Sequence, residues 1–375
     1  MEVRPVQPEI RAAWYADELG PAKVVFLRPM PRMAAVVVVD NVALGPAIGG
    51  VRLSPAVSVA EVSRLARAMT LKNAAAGLPH GGGKSGIYLA PSMDGAPRER
   101  EMRAFARAIE QLTDYIPGPD MGTDEGCMAF VHDEIGRAVG LPSVLGGIPL
   151  DELGATGYGL ACCVDALAAD KLIDLAGARV VVQGFGAVGT HVVMNLAGRG
   201  ARVIAVSDAE GAVHREEGLD VEALLATKRA GKPVSAFPGG RAVDRDDILW
   251  LECELLVPAA GPDVFTERNA SRVQAKVVLQ GANIPATPEA ERIFHKRGVL
   301  CLPDIIANAG GVICAAMEYA GGTRAQAFAA IEEKLHANTA ELVDRVSADG
   351  VLPRQAAGAM AVGRLHTAAG YRRHF

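Results

Sequence analysis

The chain has 375 residues, is 50% hydrophobic and 22% charged, and carries a formal net charge of −5. That length is enough for two or three domains, each with a core of its own. The absence of a basic excess argues against nucleic acid and anionic membranes as partners, and 5% aromatic content argues against a base-stacking surface.

The opening Met1-Glu2-Val3-Arg4-Pro5 lacks the basic segment and apolar core of a signal peptide. The longest apolar runs, such as Ala34 to Val39, are too short to span a bilayer. Six cysteines, Cys127, Cys162, Cys163, Cys253, Cys301 and Cys314, form no Cys-x-x-Cys pair and sit mostly in apolar stretches. They read as buried reduced thiols, and a cytoplasmic enzyme is expected.

In chain order, Ala34 to Val39 predicts a buried strand. Ser58-Val59-Ala60-Glu61 has the capping-box pattern, and Val62, Leu65 and Met69 continue at helical spacing to about Ala76. Arg98 to Leu112 predicts a second amphipathic helix. The Gly/Pro-rich stretch Leu141 to Gly154 is the expected domain boundary. Beyond it come a helix over Gly157 to Leu175, a strand over Arg179 to Gln183, a helix over Val188 to Gly198 and a strand over Ala201 to Val206. Further strands follow at Leu255 to Val257 and Ala275 to Leu279. The tail from Arg324 to His366 is helical, punctuated by Gly350 and Pro353. Alternating strands and helices predict a parallel sheet. The expected fold class is α/β with two domains: a mixed substrate and oligomerisation domain over residues 1–150, and a Rossmann-type dinucleotide-binding domain over 151–330. The helices of about 330–375 are expected to pack back on the first domain.

Gly184-Phe185-Gly186-Ala187-Val188-Gly189 is a G-x-G-x-x-G fingerprint placed between an apolar strand and a helix, the context it requires. Gly184 permits the turn, Gly186 lets backbone approach a pyrophosphate, and Gly189 lets helix and strand pack closely. Asp208 ends the next strand about 20 residues on, where an acid meets the ribose hydroxyls. NAD is the expected cofactor, with NADP left open. A glycine-rich turn that binds nothing is the plain alternative.

Gly81-Gly82-Gly83-Lys84-Ser85 invites a phosphate-loop reading. That motif needs glycine where Leu78 stands, so the reading fails. Lys84 is read instead as a lysine held in a close backbone turn, its pKa depressed by a dry pocket and a neighbouring cation. Lys72 is the candidate neighbour, although alone it reads as a solvated helix-end lysine. Asp120, in Pro119-Asp120-Met121-Gly122, reads as a helix cap when taken alone and as a proton-exchanging carboxylate when set beside Lys84.

Together these pieces resemble the glutamate/leucine/phenylalanine/valine dehydrogenases. The resemblance runs in order through Gly49-Gly50-Val51-Arg52, Met69 to Asn73, the Lys84 segment, Pro119 to Thr123, Ala155-Thr156-Gly157, Gly184 to Gly189, Gln280-Gly281-Ala282-Asn283 and Asn308 to Val312. It implies two domains with a cleft between them, closed homo-oligomers, and reversible oxidative deamination of an L-amino acid to its 2-oxo acid and ammonia. It also implies roles. Lys72 would hold the substrate α-carboxylate, Gly49 would lie at the substrate, Lys84 would activate water and Asp120 would relay protons. Thr156, Ala260 and Asn283 would lie at the cofactor, and Asn308 would orient the amine.

Within that family, glutamate-specific members usually place a lysine where this chain has Ile48 and a serine where it has Ala315. A γ-carboxylate against Ile48 and Ala315 would lose its solvation uncompensated, whereas an apolar side chain would gain about 1–3 kcal/mol from burial. An apolar amino acid is therefore the lead expectation, glutamate the alternative, and an inactive dinucleotide-binding sensor the further alternative. His80 reads as a hydrogen-bonded bystander. His132, His191 and His214 show no metal-ligand spacing, and no metal is expected. Asp124-Glu125 and Asp133-Glu134 read as helix N-terminal acids.

Overall fold

The computed structural model describes residues 17–89 and 98–372, so Met1 to Pro5 lies outside the described residues. Among these residues the chain forms two compact units. One takes the chain up to Thr70 together with Pro79–Val139; the other takes Leu71–Leu78 and the chain from Gly140 onward.

The first unit is built on β1 (Lys23–Met30), β2 (Met33–Asn41), β3 (Ala47–Leu53), β4 (Gly81–Leu89) and β5 (Tyr115–Pro119), in the order β1-β2-β4-β3-β5. β1 and β4 flank β2 antiparallel, while β3 runs parallel to both β4 and β5. The apolar run expected as a strand lies inside β2, where Val37, Val38 and Val39 are fully buried. Helix α1 (Val59–Ala75) sets Val62 and Ala66 against Val36 and Val38. Ser58 Oγ accepts from the Glu61 amide at its start, as the capping pattern predicts.

Helix α2 (Arg98–Ala108) stops short of Leu112. The Arg137 guanidinium explains the early end, because it donates to the carbonyls of Ile109, Glu110 and Leu112 and so satisfies groups a helix end leaves open. Helix α3 (Glu125–Ile135) is capped by Asp124, whose side chain accepts from the Cys127 amide. Asp133 and Glu134, expected at a helix N-terminus, instead fall in the last turn of α3. They pair there with Arg103 and Arg107 of α2, which explains two acids at an end the helix dipole disfavours.

The second unit opens with α4 (Ala155–Ala169) and continues through β6 (Arg179–Gln183), α5 (Ala187–Gly198), β7 (Arg202–Ser207), β8 (Ala212–His214), α6 (Val221–Arg229) and β9 (Arg241–Val243). There follow β10 (Cys253–Pro258), β11 (Ala275–Leu279), α7 (Pro288–Lys296), β12 (Leu300–Leu302), α8 (Asp304–Ala307), α9 (Gly310–Tyr319), α10 (Arg324–Asp349) and α11 (Pro353–Ala369). α4 ends before the predicted Leu175 because Lys171 turns left-handed at φ 59°. The seven strands lie in the order β12-β11-β10-β6-β7-β8-β9. β12 through β7 are mutually parallel, and β8 and β9 add an antiparallel edge. Chain direction across this sheet reverses between β6 and β10, the switch point where open α/β sheets bind ligands. α10 packs on α4 and α9, and α11 packs on α10 and β12. Gly350 (φ 65°) ends α10 and Pro353 opens α11, as their punctuation predicts. All six cysteines are free and buried. No helix among the described residues is long and apolar enough to cross a membrane.

Candidate active site

Lys84 lies in the interior of β4, not in a turn. β2 lies on one side of that strand and β3 on the other, and the Lys84 side chain is only 8% exposed. Its Nζ is 3.1 Å from Asp120 Oδ2. The same oxygen accepts from Arg52 Nε at 2.8 Å, and Arg52 Nη1 reaches Glu61 Oε1 at 2.5 Å. Burial pushes the Lys84 ammonium below the ordinary lysine range and the Arg52 charge adds to that, while Asp120 works against both. For Asp120, burial pushes the carboxyl up, but Lys84 and Arg52 outweigh it and hold the group below the usual carboxylate range. Arg52 is thus a cation the first unit sets beside Lys84. It stood in the Gly49-Gly50-Val51-Arg52 motif, and nothing local in the sequence assigned it this place.

The glycines around Lys84 serve close approach. A Cβ on Gly49 would sit 1.7 Å from the Gly83 carbonyl oxygen; on Gly82, 2.0 Å from the Thr70 nitrogen; on Gly83, 2.9 Å from the Tyr115 ring. The Gly50 backbone faces the Lys84–Asp120 pair directly, since a Cβ there would lie 3.0 Å from Lys84 Nζ. Tyr115, fully buried, donates to the Gly49 carbonyl at 2.8 Å and lies 2.9 Å from Ser85 Oγ. Asp120 follows β5 directly, its amide donating to Thr123 Oγ1. The helix cap belongs to Asp124, which leaves Asp120 to the lysine. His80 is buried, and burial pushes its imidazole below the ordinary range, toward the neutral form, with Nδ1 3.1 Å from the Pro46 carbonyl. Ile48, on β3, is 4% exposed.

In the second unit a cleft of ≈ 580 Å³ opens at the switch point, walled by Gln183 to Gly186, Ser207 to Ala209, Arg245 and Ala259 to Gly261. Its construction fits a dinucleotide. Gly184 takes φ 94°, and a Cβ there would press on Ala260 at 2.8 Å. A Cβ on Gly189 would meet the Gly184 carbonyl oxygen at 1.7 Å, so helix and turn pack as the fingerprint requires. Gly186 instead faces open space. α5, with Ala187 and Val188 in its first turn, has no side chain capping its first amides, which are therefore free for phosphate. Gln183 Oε1 and Ser207 Oγ are buried without a hydrogen-bond partner. Asp208 is fixed at the rim by backbone amides, Oδ1 accepting from Glu210 and Gly211 and Oδ2 from Val234. Lys228 of α6, absent from the sequence reading, lies 5.0 Å over the Phe185 ring and donates to the Phe185 carbonyl.

The Asn308 amide nitrogen donates to the Gly281 carbonyl at 3.2 Å and to Asn283 Oδ1 at 3.0 Å, while its own Oδ1 is buried without a partner. A buried acceptor left open costs about 1–3 kcal/mol unless something fills it. Behind this pair, Arg354 of α11 donates to both oxygens of Glu291 and to Gln280 Oε1, all at 2.8 Å. Its Nη1 lies 2.9 Å from Asp304 Oδ1, and Asp304 Oδ2 accepts from the Ile284 amide. Nothing local in the sequence signals Arg354, which stands far along the chain from the groups it pairs with. Ala315, on α9, is 8% exposed, and Gly311 on the same helix lies against Thr156 of α4. Lys72 is half-buried in the last turn of α1 and belongs with the second unit.

Residues 146–373 match the family described as Glutamate/Leucine/Phenylalanine/Valine dehydrogenase, and residues 30–137 match its dimerisation domain. The chain is 40% identical to a glutamate dehydrogenase of Aeropyrum pernix, over 81% of this chain and 77% of that one. It is 39% identical to a catabolic NAD-specific glutamate dehydrogenase of Bacillus subtilis, over 74% of this chain and 68% of that one. A hetero-hexameric glutamate dehydrogenase from Thermus thermophilus, in its Leu-bound form, superposes with a TM-score of 0.81 at 32% identity, covering 95% of this chain and 91% of its own. An L-tryptophan dehydrogenase from Nostoc punctiforme shares the fold, with a TM-score of 0.74 at 24% identity, covering 94% and 97%.

Proposed function

The chain belongs to the Glutamate/Leucine/Phenylalanine/Valine dehydrogenase family, and from that premise we propose that it oxidatively deaminates L-glutamate, reversibly, with NAD. Its class is that of an oxidoreductase acting on the CH–NH2 group of an amino acid with NAD(P). Glutamate is supported above all by 40% identity to the Aeropyrum pernix glutamate dehydrogenase across four-fifths of the chain. This displaces the apolar amino acid as the lead. Asp208 favours NAD, because a carboxylate at the cleft rim repels a 2′-phosphate. The working molecule is a closed homo-oligomer in this reading; the hetero-hexameric Thermus enzyme supports a multi-subunit assembly, though of more than one kind of chain.

The bound dinucleotide supplies the hydride acceptor, and the protein supplies the rest. Lys72 pairs with the α-carboxylate, and Asn308 Oδ1 accepts from the amino group. Neutral Lys84 takes a proton from the water that adds to the iminium carbon. Asp120, in contact with Lys84 Nζ, exchanges protons with the departing amine.

A second reading, an apolar amino acid, is favoured by one specific observation: Ile48 and Ala315, the two positions that would meet the side chain, are apolar and buried. A panel of twenty amino acids at alkaline pH, run with NAD and NADP in parallel, tests both. Glutamate is expected to give the highest kcat/KM. Faster turnover of leucine, valine or phenylalanine transfers the assignment to the second reading. NAD binding without turnover of any amino acid overturns both and leaves a dinucleotide-binding sensor.

A further inference from the structure

We propose that Cys162, Asp165 and His336 form a binding site for one divalent cation of the zinc type. Cys162 and Asp165 stand at i and i+3 on α4 and so share one helical face. His336 comes from α10, which packs on α4. One ligand atom from each residue, the Cys162 sulfur, an Asp165 carboxylate oxygen and a His336 ring nitrogen, lies within 4.8 Å of the other two. A tetrahedral ion bonded at about 2.0–2.3 Å holds its ligand atoms about 3.3–3.8 Å apart, so rotamer adjustments of about 1 Å complete the set.

A second observation points the same way. His336 Nε2 is buried and has no hydrogen-bond partner among the described residues. Buried polar atoms are ordinarily satisfied, and an orphan at a cluster of metal-ligating groups calls for a ligand. Cys162 is fully buried, and burial pushes its thiol up to about 12 with Arg199 working against it, so alone it is an unreactive thiol. A coordinated sulfur is deprotonated outright, its proton passing to solvent.

The surroundings orient the carboxylate as an outer shell does in metal sites. Arg199 Nε donates to Asp165 Oδ1 at 3.0 Å and Oδ2 at 2.8 Å, and its guanidinium lies 5.7 Å over the Tyr158 ring. Tyr158 in turn donates to Glu332 Oε2 at 3.0 Å. Coordination through one oxygen leaves the other to Arg199. A sulfur, imidazole and carboxylate set selects zinc-type ions over magnesium or calcium, and three protein ligands leave the fourth position to water. Such an ion would staple α4, whose first turn carries Thr156, to α10. Sequence spacing conceals the group, because its two halves lie on helices far apart in the chain.

The test is a Cd2+ titration of the full chain after chelator treatment and removal of the chelator. A thiolate-to-cadmium absorption band is expected to saturate at one ion per chain, and Zn2+ is expected to compete for it and raise the Tm. C162S should abolish the band. H336A should weaken binding by at least about tenfold, while C163S, altering the adjacent buried thiol, should leave it unchanged. Circular dichroism confirms that each variant is folded, and H336A keeps the test decisive should C162S fold poorly. Absence of the band, or unchanged affinity in folded H336A, overturns the proposal.

Discussion

Gly49 in the first unit and Gly186 in the second do opposite work. Around Lys84 the missing Cβ positions of Gly49, Gly82 and Gly83 are filled by other parts of the protein, which lets strands close tightly on a buried cluster of charge. At the dinucleotide cleft, the missing Cβ of Gly186 opens onto space that a ligand would fill. The first arrangement tunes titratable groups by burial and neighbouring charge; the second presents backbone amides and a few open acceptors. The same substitution should therefore damage folding in one unit and binding in the other, and each can be tested apart.

The largest effect is expected at the charged cluster. Lys84→Met should lower kcat by about 10²–10⁴-fold, the usual contribution of a positioned proton-transfer group, and leave NAD affinity by calorimetry unchanged. Activity within tenfold of the parent would remove Lys84 from the chemistry. Next comes the support of the second unit. Arg354→Met leaves Glu291 and Asp304 buried without their shared cation. Urea unfolding should report a loss of about 3–5 kcal/mol, partly recovered in Arg354→Lys.

The glycine contrast itself is sharpened by a pair. Gly49→Ala must displace the Gly83 carbonyl and should cost about 1–3 kcal/mol in stability. Gly186→Ala should leave the Tm unmoved and raise KM for NAD on the order of tenfold. Equal stability losses in both would dissolve the distinction. The smallest effect is a pH shift. In the proposed mechanism deamination needs neutral Lys84, so kcat/KM should rise with pH and level off below the ordinary lysine pKa of 10.5. Arg52 helps hold the Lys84 pKa down, so Arg52→Gln should move this rise to higher pH by about a unit or less, as read from the pH–rate profile.

What the sequence disclosed was local. The strand, turn and helix around Gly184 to Gly189 lie within one short stretch, so apolar run, glycine spacing and Asp208 were legible together. The valine run of β2 and the Gly350/Pro353 punctuation were legible for the same reason. Lys84 stands out in the sequence, but three consecutive glycines signal a turn there unless the neighbouring strands that crowd them are known. Arg52 and Glu61 join Asp120 only through strand pairing and helix docking. Asp133 and Glu134 read as helix N-terminal acids only because their partners, Arg103 and Arg107, belong to another helix. Arg137 shortened α2 from outside it. In each case the missing information was the identity of a partner distant in sequence.

Arg354 has a consequence for the order of assembly. Gln280, Glu291 and Asp304 are all synthesised before it, and the two segments that present Asn283 and Asn308 lack this buried cation until α11 is made. Arg364, later still, donates to the carbonyls of Ala74 and Ala75 at the end of α1. Translation runs from the N-terminus, so the nascent protein stays without this support until α11 has left the ribosome. Truncation before Arg354 should accordingly yield a chain whose first unit is made but whose Asn283 and Asn308 segments stay loose.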